Sequence, residues 1–233
     1  MKAFILAAGL GTRLRPLTDT VPKCLVPVQG VPLLGVWLGI CERAGIDSVL
    51  VNLHHLPDQV YAFVRDYHGS VRVSTVYEET LLGTAGTVLA NRHFVEGERD
   101  FFVIYVDNWT DVDLADMLAS HRAKGTDLTM AVFHTDNPSG SGIVTVDAAD
   151  RIVAFEEKPR HPRSDLANAG ILIMSPRLLA GLPAYRPLDF GFDVLPRFAG
   201  EMYAYRLSGF LCDLGTWENY RKVATGRRER SRP

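Results

Sequence analysis

Cysteine is scarce in this sequence, and its scarcity excludes a fold built on disulfides. Only three cysteines, Cys24, Cys41 and Cys212, occur among the 233 residues, and no two of them have CxxC spacing. Small secreted domains that depend on disulfides carry many paired cysteines. We therefore expect a chain that folds around a hydrophobic core in a reducing, cytoplasmic compartment.

Long hydrophobic runs and an excess of one charge are also missing. The apolar run near the N-terminus ends at Ala8, which is far too early to span a membrane, and glycines and arginines follow at once. The formal net charge is −2. Proteins that bind nucleic acids or anionic membranes are usually basic, so we predict neither partner. Any phosphate binding must then depend on local groups.

Strand-like and helix-like segments alternate along the first half of the sequence. Apolar strands are predicted at 3–6, 48–53, 71–77, 101–106 and 128–133, with helices between them. Such strands are typical of a parallel sheet that is covered on both faces. We predict an α/β, Rossmann-like fold with a mostly parallel central sheet and helices on both faces. In such folds ligands bind at the carboxyl ends of the strands.

The second half of the sequence is more mixed. Short strands are predicted at 142–146, 152–155, 169–174, 202–207 and 210–212, with helices at 190–198 and 217–224. No linker-like stretch separates the halves, so we expect one domain over residues 1–226. A larger lobe covers about 1–135, and a small mixed β lobe covers about 136–226. The basic residues 227–233 are predicted to form a disordered tail.

A glycine-bearing loop after the first predicted strand carries the clearest chemistry. Gly9 and Gly11 let backbone N–H groups approach a polyphosphate, because glycine has no side chain. Thr12 adds a hydroxyl, and Arg13 and Lys23 add positive charge. The loop is neither a Walker A motif nor a dinucleotide fingerprint, since it lacks Gly-Lys-Ser/Thr and the third glycine. Gly-x-Gly alone would favour an ordinary strand-to-helix turn.

The whole string resembles the signature of the sugar-1-phosphate nucleotidylyltransferases, GxGTRLxPLT followed by PKxLxP. Residues 9–18 read GLGTRLRPLT, and residues 22–27 read PKCLVP. The resemblance runs from residue 1 to about 223 and is greatest to single-domain mannose- and heptose-1-phosphate guanylyltransferases. It implies a GT-A-like fold whose smaller lobe binds the sugar. The implied reaction joins a nucleoside triphosphate to a sugar 1-phosphate and releases pyrophosphate.

The resemblance also implies roles for the matching residues, with Arg13 and Lys23 as the catalytic cations on the phosphates. Nucleotide-binding residues are implied at Leu6, Ala7, Ala8, Gly9, Gly11, Thr12, Arg13, Glu78, Gly83 and Thr84. Sugar-phosphate-binding residues are implied at Gly142, Glu157, Lys158 and Asn168. A Mg²⁺ ion is implied at Asp107 and Asp213, and Val106 replaces the glycine that usually precedes the first aspartate.

Two features bear on the base. Glu78 as a carboxylate could accept from both adjacent donors of guanine, whereas uracil and thymine have one, so it favours GTP; a solvated glutamate fits equally well. Residues 82–86 follow a strand and open a helix, so their backbone N–H groups are candidates to meet a ligand.

Several readings stay open at this point. Thymidylyl or uridylyl transfer to glucose, amino-sugar or muramate 1-phosphate remains an alternative to guanylyl transfer. A nucleotide-sugar-dependent glycosyltransferase could share the sheet, but it needs no site for departing pyrophosphate. A catalytically silent regulator that binds nucleotide sugars is the third alternative, and Val106 keeps it open. The sequence does not decide whether the chain forms a homo-oligomer.

Overall fold

Residues 1–224 of the chain are described by a computed structural model, in which they form two units. The first unit comprises Met1–Leu81, Ile104–Leu114 and residues 209–224, and the second comprises Leu82–Val103 and Ala115–Ser208. The predicted lobes are defined by the ligand that each should bind, so they stay a prediction. The predicted tail at 227–233 lies outside the described residues.

The helices and strands alternate along the described chain. The strands are β1 (Lys2–Leu6), β2 (Pro27–Val28), β3 (Val31–Pro32), β4 (Ser48–Leu53), β5 (Arg72–Tyr77), β6 (Phe101–Tyr105), β7 (Asn108–Thr110), β8 (Leu128–His134), β9 (Gly142–Val146), β10 (Ile152–Glu157), β11 (Leu166–Met174), β12 (Tyr203–Arg206) and β13 (Leu211–Asp213). The α-helices are α1 (Leu17–Thr20), α2 (Leu33–Arg43), α3 (Pro57–Arg65), α4 (Thr84–Ala90), α5 (Leu114–Lys124) and α6 (Trp217–Ala224). No helix within residues 1–224 is long and apolar enough to cross a membrane.

Parallel pairing in the first unit brings the carboxyl ends of three strands to one edge. Strand β4 pairs in parallel with β1 on one side and with β5 on the other. The register places Leu6 opposite Asn52 and Leu53 opposite Tyr77. Every residue of β4 is buried, including the polar Ser48 and Asn52, as is typical of a strand inside a parallel sheet. The predicted α/β fold with a central, mostly parallel sheet is confirmed.

Strand pairing in the second unit is mixed. Strand β8 pairs antiparallel with β11 and parallel with β12. Strand β9 pairs antiparallel with both β10 and β11. This is the mixed β structure that the shorter strands of the second half of the sequence predict.

One predicted helix differs from the structure in type. The helix expected at 190–198 is a π-helix over Phe190–Val194 followed by a 3₁₀ turn over Leu195–Phe198. Pro196 in that turn has no backbone N–H, so a regular α-helix cannot run through it. The strands expected on either side of Ser208 are present as β12, which pairs with β8, and β13, which pairs with β7.

A buried polar cluster around His121 fixes part of the second unit. The Nδ1 atom of His121 lies 2.8 Å from Oγ1 of Thr129, and its Nε2 atom lies 3.3 Å from Oδ1 of Asp100. Arg122 donates to the other Asp100 oxygen at 3.3 Å. Burial lowers the pKa of His121 below its ordinary value of 6.5, and the hydrogen bond to Asp100 offsets only part of this effect.

We expect the free energy of unfolding to fall as the pH drops below about 6.5, and His121 to contribute to the loss. The folded pKa is lower than the unfolded one, so the unfolded chain binds the proton first. The stabilisation is therefore present above the unfolded pKa and is lost as the pH falls towards the folded pKa. Thermal unfolding of the wild type and His121→Gln between about pH 5 and 8 measures this contribution. Equal pH dependence of Tm in the two proteins would contradict it.

Candidate functional site

The loop after β1 presents a run of backbone donors. In the described part of the chain, the N–H groups of residues 8–13 donate to no protein acceptor. The Gly11 carbonyl accepts from the Leu14 N–H at 2.9 Å and from the Thr18 hydroxyl at 2.8 Å, which closes the turn. Gly11 has a φ of 63°, and a Cβ there would lie 2.8 Å from the Thr18 methyl group, so this position requires glycine. The loop is thus held through a carbonyl while its N–H groups stay available to an anion. We call residues 7–13 the phosphate loop.

The N–H of Ala7, at the start of the phosphate loop, differs from the next six because it has a protein acceptor. Its N–H donates to Oδ1 of Asn52 at 2.7 Å, and Nδ2 of Asn52 donates to Oε1 of Glu78 at 3.0 Å. Asn52 and Glu78 are each only 4% exposed. The reading of Glu78 as a solvated surface residue is therefore wrong, and the Ala7 N–H is already engaged. Sequence analysis missed Asn52, although a polar residue at the carboxyl end of an apolar strand is a signal for it.

Lys23 and Asp107 form an ion pair in the first unit. Nζ of Lys23 donates to Oδ2 of Asp107 at 2.7 Å, and the lysine side chain is buried. The carbonyl of Asp107 accepts from the Leu214 N–H at 2.9 Å, which ties it to the chain that follows β13. The ammonium predicted to lie on the phosphates is thus also the direct partner of the predicted metal ligand.

Val106 fits the position where the family usually has glycine. Its side chain is buried, its N–H donates to the Leu6 carbonyl at 3.2 Å, and its carbonyl accepts from the Trp37 indole at 3.0 Å. Val106 is not among the residues with positive φ. A β-branched side chain therefore suits this backbone, and the substitution leaves Asp107 beside Lys23.

Asp213 lies close to the same ion pair. Burial raises the pKa of the Asp213 carboxyl, the negative charge of Asp107 raises it further, and the charges of Lys23 and Arg13 oppose the shift. The Arg13 guanidinium lies against Gly215, where an added Cβ would be 2.6 Å from its nearest nitrogen. The first unit therefore brings Arg13, Lys23, Asp107 and Asp213 together, as the resemblance implies. We call these four residues the charged cluster.

The charged cluster suits a cation that shares its coordination with phosphate. Residues 1–224 contain no group of three or more His, Cys, Asp or Glu side chains placed to hold a metal. Mg²⁺ usually binds one or two carboxylates and completes its octahedron with phosphate oxygens and water. Two carboxylates close enough to raise a pKa by repulsion, Asp107 and Asp213, match that donor set.

Backbone N–H groups at the start of α4 already have hydrogen-bond acceptors within the second unit. The N–H groups of Ala85 and Gly86 donate to the Leu188 carbonyl at 3.0 and 2.9 Å. The Leu188 N–H in turn donates to the Leu82 carbonyl at 2.9 Å. For these two N–H groups the expectation that they meet a ligand is wrong, because a protein carbonyl already occupies them.

Gly83 and Thr84 contact the same stretch of chain, residues 188–190. The Thr84 hydroxyl donates to Oδ2 of Asp189 and accepts from the Phe190 N–H, both at 2.8 Å. Gly83 has a φ of 80°, and a Cβ there would lie 2.4 Å from the Leu188 carbonyl oxygen. Since a hydroxyl carries one hydrogen, the Thr84 side chain has no further hydrogen to donate. The roles of these two residues in nucleotide binding stay predictions.

Glu157 is enclosed by two glycines of the second unit. A Cβ added at Gly142 or at Gly191 would lie 2.6 Å from Oε2 of Glu157. Burial raises the pKa of Glu157, the nearby Lys158 ammonium opposes the shift, and Asp189 adds to it. Nζ of Lys158 lies 3.6 Å from Oε1. Three of the predicted sugar-phosphate residues are thus brought together, whereas Asp189 and Gly191 were missed because only tertiary contact reveals them.

Lys158 and Asn168, two of the predicted sugar-phosphate residues, each take part in a hydrogen bond that involves the backbone. Lys158 has a φ of 47°, and its N–H donates to the Ser141 carbonyl at 3.0 Å. Oδ1 of Asn168 accepts from the Gly170 N–H at 2.9 Å, at an irregularity in β11. Among the described residues no hydrogen bond joins Asn168 to Glu157 or Lys158.

We expect Gly83→Ala to destabilise the protein by at least about 2 kcal/mol more than Gly97→Ala, because overpacking adds to backbone strain. Both glycines have a φ of 80°, but a Cβ at Gly97 would meet no atom within 4 Å. Gly97→Ala therefore measures the cost of a positive φ in the absence of a close contact, about 1 kcal/mol. Urea unfolding of the two variants gives the difference, and equal midpoints would contradict the close packing against Leu188.

Known proteins resemble this chain along most of its length. The mannose-1-phosphate guanylyltransferase catalytic subunit beta of Danio rerio is 35% identical, over 92% of this chain and 61% of that protein. A probable mannose-1-phosphate guanylyltransferase 2 of Arabidopsis thaliana is 34% identical, over 94% of this chain and 63% of that protein. The chain thus spans less than two thirds of the length of these curated relatives.

A solved structure and a family description complete the comparison. The crystal structure of HddC from Yersinia pseudotuberculosis complexed with GMP-PN superposes with a TM-score of 0.81 at 26% identity, over 96% of this chain and 98% of that one. The family model described as nucleotidyl transferase matches residues 2–230. Since that match covers nearly the whole sequence, the chain belongs to the nucleotidyl transferase family.

Proposed function

We propose that the protein transfers a nucleotidyl group from a nucleoside triphosphate to a sugar 1-phosphate, giving a nucleoside diphosphate sugar and pyrophosphate. The run of N–H groups in residues 8–13, which have no protein acceptor within residues 1–224, carries the proposal. Phosphate oxygens only accept hydrogen bonds, so such a run, in the same unit as the charged cluster, suits a polyphosphate. The guanylyltransferase names of the relatives support the same reaction.

The chemistry requires positioning and charge neutralisation. An oxygen of the sugar phosphate attacks the α-phosphorus of the triphosphate, and the bond to the β-phosphate breaks as pyrophosphate leaves with the electron pair. A phosphate oxygen is already nucleophilic, so no general base is needed. The phosphate loop and Arg13 stabilise the charge that develops on the α-phosphate and on pyrophosphate. Lys23 holds the Asp107 carboxylate in place and adds positive charge beside it.

Asp107 and Asp213 are the residues that would hold Mg²⁺ in this proposal. When bound, the ion would supply positive charge that offsets the charge of the phosphates. The two carboxylates raise the local cost of negative charge, which the raised pKa of Asp213 records. A cation at both carboxylates removes that cost, so metal and triphosphate are expected to bind together.

The group around Glu157 in the second unit is assigned to the sugar 1-phosphate. Glu157 accepts from sugar hydroxyls, Lys158 binds the phosphate, and Gly142 and Asn168 complete the set. Lys158 adopts a positive φ, a conformation that costs free energy and persists where the surrounding structure fixes it. The strained backbone supports a functional position for its ammonium group.

GTP is the proposed triphosphate, and a mannose- or heptose-type 1-phosphate is the proposed acceptor. The names of the relatives and the GMP-PN complex of HddC support a guanine nucleotide. Glu78 is assigned to the guanine edge. Thymidylyl or uridylyl transfer and a silent regulatory role remain the alternatives. We place the reaction in the cytoplasm, in agreement with three free cysteines.

The metal assignment predicts that Asp107→Asn and Asp213→Asn each lower kcat by on the order of a hundredfold, because each deletes a carboxylate charge at the cation. Pyrophosphate release at limiting Mg²⁺ measures the effect, with the exposed Asp58→Asn as the matched control. Near-native rates in both variants would remove the metal site from the proposal. A wild-type chain that binds nucleotide sugars without releasing pyrophosphate would favour the regulatory alternative, and free sugar release would favour a glycosyltransferase.

The base assignment predicts that kcat/KM for GTP exceeds that for UTP and dTTP by at least about tenfold, since uracil and thymine would present two carbonyl oxygens around a single N–H to the Glu78 carboxylate, which is repulsive. Glu78→Gln should narrow this ratio. Its amide oxygen can still accept from Asn52, so the internal bond survives while the charge is lost. The exposed Glu79→Gln is the control. If the ratio does not change in Glu78→Gln, another group reads the base.

A further inference from the structure

Three polar groups meet at the carboxyl edge of the parallel strands β1, β4 and β5. Asn52 lies one residue before the end of β4, opposite Leu6 of β1. Glu78 directly follows β5, and its N–H donates to the Leu53 carbonyl at 2.8 Å. The side chain of Asn52 bridges the Ala7 N–H and the Glu78 carboxylate, with distances of 2.7 and 3.0 Å.

The hydrogen-bond partners of the Asn52 amide allow it only one orientation. The Ala7 N–H can only donate and an ionised Glu78 carboxylate can only accept, whereas the amide carries one acceptor and two donor hydrogens. A flipped amide would place its NH₂ group against the Ala7 N–H and its oxygen against the carboxylate. Both Asn52 and Glu78 are 4% exposed, so water cannot replace the lost bonds. Glu78 therefore fixes the amide, and the amide fixes Ala7.

Ala7 has the last N–H with an acceptor before the run of six N–H groups that have none among the described residues. The phosphate loop is held at this end by Asn52 and at the other by the Gly11 carbonyl. We infer that Asn52 is a positioning residue, which sets where the phosphate loop begins and so how its N–H groups meet a triphosphate. The inference rests on the proposed function in that the loop must bind a triphosphate. It does not depend on which base is bound.

A pair of substitutions can break the bridge and then rebuild it. Asn52→Asp keeps an acceptor for the Ala7 N–H but sets a second carboxylate against Glu78. The double variant Asn52→Asp/Glu78→Gln restores an amide–carboxylate bond with the donor and acceptor exchanged, and it restores the wild-type charge. Glu78→Gln alone is the reference for the double variant. Asn91→Asp is the matched control, since Asn91 is another buried asparagine whose amide donates to a protein carbonyl.

We expect Asn52→Asp to raise the Kd of a non-hydrolysable GTP analogue with Mg²⁺, and the KM of both GTP and UTP, by at least about tenfold at pH 8. The double variant should return to within about threefold of Glu78→Gln, because the restored bond repositions Ala7. Asn91→Asp should lower Tm without changing these constants.

Two results would overturn the inference. If Asn52→Asp lowers only Tm and leaves Kd and KM unchanged, the bridge has a structural role alone. If Kd and KM rise in Asn52→Asp but do not recover in the double variant, Asn52 contacts the nucleotide itself. The proposed function is judged separately, on whether the wild-type chain converts a triphosphate and a sugar 1-phosphate into pyrophosphate. A chain that binds the analogue but forms no product would refute that function and still report on Asn52.

Discussion

A backbone N–H group needs an acceptor in the protein, in solvent or in a ligand. This constraint distinguishes two glycine-bearing turns of the protein, the segment that opens α4 and the phosphate loop. In the segment that opens α4, the Leu188 carbonyl takes the N–H groups of Ala85 and Gly86. In the phosphate loop, the described residues provide acceptors to the Ala7 N–H and to none of the next six. The two turns have similar sequences, but of the two only the phosphate loop has a run of backbone N–H groups without an acceptor among the described residues.

Charge balance within the first unit follows from the same need for partners. Burial raises the pKa of Asp213, and the negative charge of Asp107 raises the pKa of Asp213 further. Lys23, which forms an ion pair with Asp107, opposes that shift, and Arg13 opposes it from the side of Gly215. The charges of these four side chains thus offset one another within the first unit.

Regular elements could be predicted from the sequence, whereas the supporting contacts of the site could not. The bounds of β4 and α6 agree residue for residue, because apolar periodicity and flanking turn residues define them locally. Strand β7 was missed because it has only three residues and exists through its pairing with β13. Asn52 and Asp189 were missed for a related reason: their partners, Ala7 and Thr84, lie 45 and 105 residues away.

Glycine also occurs at positions where the backbone conformation does not require it. Gly142, Gly191 and Gly215 are not among the glycines with positive φ, so another residue could adopt their backbone conformation. At each, an added Cβ would lie 2.6 Å from a charged atom, in Glu157 for the first two and in Arg13 for the third. Small residues here make room for a carboxylate and a guanidinium beside the main chain. Placement of these charged side chains therefore depends on the absence of a Cβ as well as on hydrogen bonds, and a methyl group at Gly191 or Gly215 would have to displace the charged group.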